Sequence, residues 1–198
     1  MKILITSGAS ERSAALADHL TREHEVRLTE RAPVNSAHNF VQCALGHDRA
    51  TNLLTSGMDV ILHAVDPLAG EDVSAQIDAA TRCTYNLLLA AAEEDVPLVI
   101  LLSTLELMAD YPAAYRVSET WRPLPHTQPP TLSKHLAEQV CREFARERKL
   151  RVVVLRLGEA SDATVFEAVD SALTSVEDWA ISHVGEVTTK PFLMDVVE

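Results

Sequence analysis

Basic charge, paired cysteines, glycine and long apolar runs are all scarce in this chain, and each shortage removes a class of function. Lys and Arg total 17 against 29 Asp and Glu, a formal charge of -12, so the average field repels nucleic acid and anionic membrane. The densest basic stretch, Arg142, Arg146, Arg148, Lys149 and Arg151, is interleaved with Glu138, Glu143 and Glu147. That is the pattern of a solvated helix face with i,i+4 ion pairs, not of a nucleic-acid patch. Cys43, Cys83 and Cys141 stand far apart without a C-x-x-C spacing, which suggests neither a disulfide framework nor a zinc site. The longest strongly apolar run, residues 96–102, is much shorter than a membrane span and contains Pro97. The apolar stretch after Met1 is too short for a signal core. The expectation is a cytoplasmic protein with no nucleic-acid and no membrane partner.

What is present suits one globular domain over residues 1–198: the chain is 47% hydrophobic and 23% charged, enough to bury a substantial core. Short β-rich runs at residues 2–6, 25–29, 59–65, 98–103 and 151–157 alternate with helical stretches at 14–23, 74–94, 131–149 and 164–175. Residues 179–184 offer a sixth strand. Several of these runs are apolar at consecutive positions, as strands buried on both faces are. The predicted fold is α/β, a Rossmann-like doubly wound parallel sheet flanked by helices in three layers. Any ligand should bind beyond the carboxyl ends of the strands, near the point where strand order reverses.

Four segments carry a resemblance. They are Ile3-Leu4-Ile5-Thr6-Ser7-Gly8-Ala9-Ser10-Glu11-Arg12-Ser13, Asp59-Val60-Ile61-Leu62-His63-Ala64, Thr84-Tyr85-Asn86-Leu87-Leu88, and Ser133-Lys134 with Ala137-Glu138 followed by Leu155-Arg156-Leu157-Gly158. In order and spacing over about residues 1–160 the chain resembles the NAD-dependent epimerase/dehydratase family, the extended short-chain dehydrogenases. The family's first loop reads T-G-x-x-G-x-x-G, its glycines serving the tight turn, approach to the pyrophosphate and helix packing. Here Ser7, Ser10 and Ser13 hold those places. A positive φ at any of them would cost about 1–2 kcal/mol, and Ser10 stands where the phosphates would approach.

The resemblance implies that Ser7, Gly8, Ser10, Glu11, Arg12 and Ser13 face a dinucleotide's phosphates, with serine hydroxyls, helix amides and Arg12 holding the anion. The competing reading is a remodelled turn with serines as helix caps. Glu30 would take the ribose hydroxyls and favour NAD over NADP, a preference that adjacent Arg31 weakens; the two are otherwise a surface charge pair. His63, Ala64 and Val65 would line the cofactor with main chain, His63 being a packed strand-end residue rather than a catalyst.

Family enzymes resemble one another in a Ser/Thr after residues such as 98–103 and in a Tyr-x-x-x-Lys pair on the next helix, whose Lys lowers the Tyr pKa and binds ribose. Lys134 supplies the Lys, but Pro130 stands four residues earlier. A prolyl ring carries no proton, and its absence alone implies a loss of about 10²–10⁴ in rate. Pro129 and Pro130 fit the start of a helix. Tyr111 and Tyr115 have no spacing that links them to Lys134, which is either a ribose contact or an exposed helix lysine. Ser103-Thr104-Leu105-Glu106-Leu107-Met108 is similar to the S-T-D-E-V-Y stretch of the family's sugar-nucleotide dehydratases; Thr104 then matches the substrate-oxygen hydroxyl and Glu106 the base, with Leu105 in place of the acid. Only about forty residues follow Gly158, so the family's substrate lobe is expected to be largely missing.

Two functional readings stand. The preferred one is a non-catalytic or repurposed protein, binding a nucleotide or dinucleotide or regulating a partner. The other is an active NAD-dependent epimerase, dehydratase or reductase acting on a nucleotide sugar or similar molecule through Thr104, Glu106 and Lys134. The family also suggests a homodimer through the helices at 74–94 and 131–149.

Overall fold

Strands that must be covered on both faces need apolar residues at every position, and the sequence supplies them where the sheet is deepest. In the computed structural model, which describes residues 1–112, 114–115 and 117–186, β1 (Lys2–Ile5), β2 (Glu25–Glu30), β3 (Asn39–Gln42), β4 (Val60–Ala64), β5 (Leu98–Thr104), β6 (Arg151–Leu157) and β7 (Trp179–Val184) form one sheet. Its order is β3-β2-β1-β4-β5-β6-β7 and every pairing is parallel. The predicted doubly wound sheet is therefore observed. The last stretch of the expected single domain, residues 187–198, lies outside the described residues.

Alternate residues of each strand feed two cores. Leu4, Ile61, Val99 and Val152 pack with Leu87, Leu88, Ala137 and Cys141 on one face. Ile3, Ile5, Leu62, Ile100 and Val153 pack with Leu16, Ala17 and Val169 on the other. The helices are α1 (Glu11–Leu20), α2 (Arg49–Thr55), α3 (Val73–Asp78), α4 (Thr84–Glu93), α5 (Pro129–Arg146) and α6 (Asp162–Leu173). Between α3 and α4 runs a π turn, Ala79–Cys83, so the single helix expected over residues 74–94 is continuous in path but not in hydrogen bonding. Thr84 follows this turn, its hydroxyl donating to Ala79 O at 3.0 Å.

Two elements are absent from the sequence reading. The strand β3 is four residues long and mostly exposed at the sheet edge, which gives it no buried apolar signature. The helix α2 is only seven residues, but it has a recognisable cap: Asp48 accepts from Ala50 N–H and Thr51 N–H. Helix α1 begins at Glu11, three residues before the expected start, because Ser10 caps it. Helix α5 begins at Pro129 with proline in its first positions, where the missing N–H leaves no hydrogen bond unmade.

Candidate functional site

Strand order reverses beside β1, so the carboxyl ends of β1 and β4 flank the crevice where a doubly wound sheet binds ligands. The chain turns sharply there. Ser7 has φ 52°, the left-handed region that costs a side chain about 1–2 kcal/mol. Its buried hydroxyl offsets this by donating to Ala64 O at 2.8 Å and accepting from Asp66 N–H at 3.2 Å. Gly8 donates its N–H to Thr29 O at 2.9 Å, and a Cβ at Gly8 would lie 3.1 Å from that oxygen, so close approach rather than φ calls for glycine. Ser10, with φ -77°, caps α1 by accepting from Ser13 N–H. Ser13 donates to Thr6 O at 3.0 Å. Strain thus falls on Ser7 alone, and Ser10 and Ser13 are serines in ordinary structural roles. Glu11 opens α1 at the surface. Arg12 lies beside it, its Nη1 buried without a partner.

Across the crevice, Glu30 is buried at the end of β2. Its carboxylate is already engaged, accepting from Arg31 N–H at 2.7 Å and Ala9 N–H at 3.4 Å. Arg31 forms an ion pair with Glu71, its Nη2 lying 3.1 Å from Oε2. The same Glu71 oxygen accepts from Leu68 N–H at 3.1 Å. That hydrogen bond with Arg31 holds the Glu71 carboxyl below the usual carboxylate range. The segment after β4 is thereby drawn over the end of β2.

His63 is buried between two hydroxyls, with Nδ1 2.9 Å from Thr6 Oγ1 and Nε2 3.0 Å from Thr84 Oγ1. Each of these hydroxyls also reaches a backbone carbonyl, Thr6 donating to Ala64 O and Thr84 to Ala79 O, both at 3.0 Å. Burial, with Lys134 adding to it, lowers the His63 pKa to about 3, so the ring is neutral and ties β4 to α4. Ala64 and Val65 are buried beside it.

Lys134 does not stand free. Its Nζ lies 2.6 Å from Asp66 Oδ1 and 3.4 Å from Leu102 O. Burial pushes the Asp66 carboxyl up, but the charge and hydrogen bond of Lys134, with Ser10 and Arg12, outweigh it and hold the group below its ordinary value. Pro130 occupies the first turn of α5, with no phenol in its place. Tyr111 donates its hydroxyl to Arg122 O at 2.7 Å, and Tyr115 is exposed. Thr104 caps the 3₁₀ turn Leu105–Met108 by accepting from Glu106 N–H, and Glu106 is partly buried in that turn.

The space that remains is small. The cavity lined by Ser7, Glu30, Arg31, His63, Val65 and Asp66 measures about 20 Å³, room for a water or two, whereas sites for drug-sized ligands occupy about 300–1,000 Å³. A neighbouring gap at Asp66, Pro130 and Ser133 measures about 10 Å³. The unpartnered Arg12 nitrogen suits an anion.

Sequence reasoning missed Asp66 and Glu71, the two carboxylates that neutralise Lys134 and Arg31. It also placed Glu138 on a solvated helix face, whereas Glu138 is buried because it is paired with Arg156, a residue to which it assigned no role. Arg156 donates Nε and Nη2 to Glu138 at 3.0 and 2.8 Å, and Ser103 donates to the same carboxylate at 2.6 Å. Both charged groups are almost wholly buried. The signal available was a charged residue, Arg156, inside an apolar strand run. No cluster suited to a metal ion occurs among the described residues, and none of their helices is long and apolar enough to cross a membrane.

Comparison with known proteins agrees with this architecture. The NAD dependent epimerase/dehydratase family description matches residues 3–169. Uronate dehydrogenase from Agrobacterium tumefaciens superposes with a TM-score of 0.81 at 20% identity, over 93% of this chain and 76% of that one. UDP-N-acetylglucosamine 4-epimerase from Bacillus cereus gives 0.78 at 16%, over 94% and 78%. A short-chain dehydrogenase/reductase superfamily protein from Agrobacterium tumefaciens with bound NAD gives 0.69 at 26% identity; 83% of this chain covers only 51% of it. No curated protein matches the sequence.

Proposed function

Since the chain belongs to the NAD-dependent epimerase/dehydratase family, we propose that it is a non-catalytic member, a regulatory or ligand-binding protein rather than an oxidoreductase. One observation carries this reading: Pro130 stands where the family places its proton-transferring phenol, and Lys134, the partner of that phenol, is ion-paired with Asp66. Without an ionisable group at that position the family's proton-transferring residue is missing, and the charge of a lysine paired with a carboxylate is offset by its partner and does less to lower a phenol's pKa. The NAD that relatives bind is, on this reading, excluded or weakly held here until the segment after β4 moves.

The test is calorimetric titration with NAD, NADH, NADP and NADPH, alongside turnover assays for oxidoreduction, epimerisation and dehydration. Binding weaker than about 1 mM (a free energy of about -4 kcal/mol) and no turnover are expected. Clear turnover would defeat the proposal. The same reading has the chain pairing with a second copy through α4 and α5, where Tyr85 is half exposed and packs edge-on against Phe144. A monomeric mass in sedimentation would reject that pairing.

A further inference from the structure

A second concavity, much larger than the crevice, lies beside α5 over the last strands of the sheet. Its volume is about 730 Å³, within the range of small-molecule sites. His135, Glu138, Gln139 and Arg142 line it from α5, a single helical stripe at i, i+3, i+4 and i+7. Arg156 of β6 and Trp179 of β7 form other walls, and Trp121 approaches from the segment after β5. The chain has two tryptophans, and both line this one space.

Its inner wall carries side-chain nitrogens that are weakly met or unmet. The Glu138 carboxylate is filled by Ser103 and by Nε and Nη2 of Arg156. Arg156 Nη1 meets only Met108 Sδ, at 3.7 Å, and a thioether is a weak acceptor. His135 Nδ1 is buried with no partner at all. Each buried polar atom left unmet costs about 1–3 kcal/mol, so a group with several acceptor lone pairs fits this wall. At the rim the exposed guanidiniums of Arg122 and Arg142 are balanced by Glu119 and Glu177. A ligand with one negative charge is accommodated there, and one with two or more meets the rim carboxylates. The indoles supply flat apolar surface for a ring or short chain.

We propose that this cavity is a binding site for a small organic monocarboxylate with an apolar ring or chain, separate from the crevice at β1 and β4. The carboxylate accepts from Arg156 Nη1 and His135, Arg142 attracts it, and the apolar body lies against Trp121 and Trp179. The site exists whether or not a dinucleotide binds in the crevice.

The two tryptophans make the test direct. The full chain is titrated with cyclohexanecarboxylate while indole emission is followed, with cyclohexanecarboxamide and inorganic phosphate as matched probes. A saturable change with a dissociation constant of about 1 mM or below is expected for the carboxylate, with binding at least about tenfold weaker for amide and phosphate. Arg142→Ala and His135→Ala, on the cavity-lining stripe of α5, should each weaken it about fivefold or more at unchanged melting temperature. Absence of saturation by about 10 mM, equal binding of the amide, tighter binding of phosphate, or full affinity in the Arg142→Ala/His135→Ala double variant would each overturn the proposal.

Discussion

The double substitution Asp66→Ala/Glu71→Ala removes the two carboxylates that hold Lys134 and Arg31 across the crevice. A dinucleotide's diphosphate is an anion, and a carboxylate about 5 Å from it is opposed by about 3 kcal/mol at an effective dielectric of 20. Lys134 and Asp66 keep side-chain exposures of 14% and 33%, so solvent screening cuts the figure for Asp66 to about 1–2 kcal/mol. Relief of Lys134 and Arg31, which then become available to an incoming anion, acts in the same direction. The double variant should therefore bind NADH about 10–100-fold more tightly than the unaltered chain. Calorimetry at low salt and again at about 0.5 M salt measures this, the gain shrinking as charges are screened. Asp66→Asn/Glu71→Gln separates charge from bulk, because it keeps the side-chain volume. If both chains bind NADH tightly, the crevice is not closed; if both bind it weakly, these carboxylates are not what closes it.

Four further outcomes follow from the geometry. Ser7→Ala keeps the left-handed φ but loses both hydroxyl bonds and should cost about 1–2 kcal/mol in urea unfolding, whereas Ser7→Gly relieves the strain and should cost less than Ser7→Ala. Pro130→Tyr restores a phenol four residues before Lys134, yet turnover should stay undetectable while Asp66 holds the lysine; activity from that single change would contradict the Lys134–Asp66 lock. His63 is neutral when folded, with its pKa lowered to about 3, so the unfolded chain binds more protons below about pH 6.5. This group's contribution is then full above about pH 7 and lost as pH falls toward 3, by up to about 1.4 kcal/mol per pH unit; Asp66, also lowered, adds its own loss below about pH 4. Melting temperature against pH should fall on the acid side, and His63→Gln should flatten the fall above about pH 4. Arg156→Met strands a buried carboxylate and should cost about 3–5 kcal/mol, while Arg156→Met/Glu138→Leu should recover most of it.

The sheet was legible because its central strands announce themselves. Ile3, Leu4 and Ile5, or Leu98 through Leu102, are apolar without alternation, and only burial on both faces requires that. The edge strand β3 has no such requirement, since Asn39 and Gln42 face solvent, and so it left no pattern to read. Helix bounds were shifted for a related reason. Periodicity marks the middle of an amphipathic helix, but its first turn is set by caps such as Ser10 and Ser161, which are single residues whose role depends on backbone angles.

The crevice was legible only in part, and the illegible part decides its chemistry. Replacement of a phenol by Pro130 can be read from one residue, because a missing proton donor is missing in any conformation. Closure cannot be read that way. It depends on Asp66 meeting Lys134 across 68 positions of sequence, and on Glu71 meeting Arg31 across 40. Acidic residues after a strand look like solvated loop residues until the parallel sheet brings the ends of β2, β4 and the start of α5 together. The serines illustrate the converse. Of the three glycine positions filled by Ser, the sequence pointed to Ser10 as the main obstacle, but backbone angle separates them differently: Ser10 and Ser13 are compatible with ordinary helix initiation, and only Ser7 of the three is strained. On the proposed reading, the two ion pairs add an electrostatic obstacle that comes from outside the glycine loop, which is why substitutions at Asp66 and Glu71, rather than Ser→Gly reversions, are the perturbations expected to open the site.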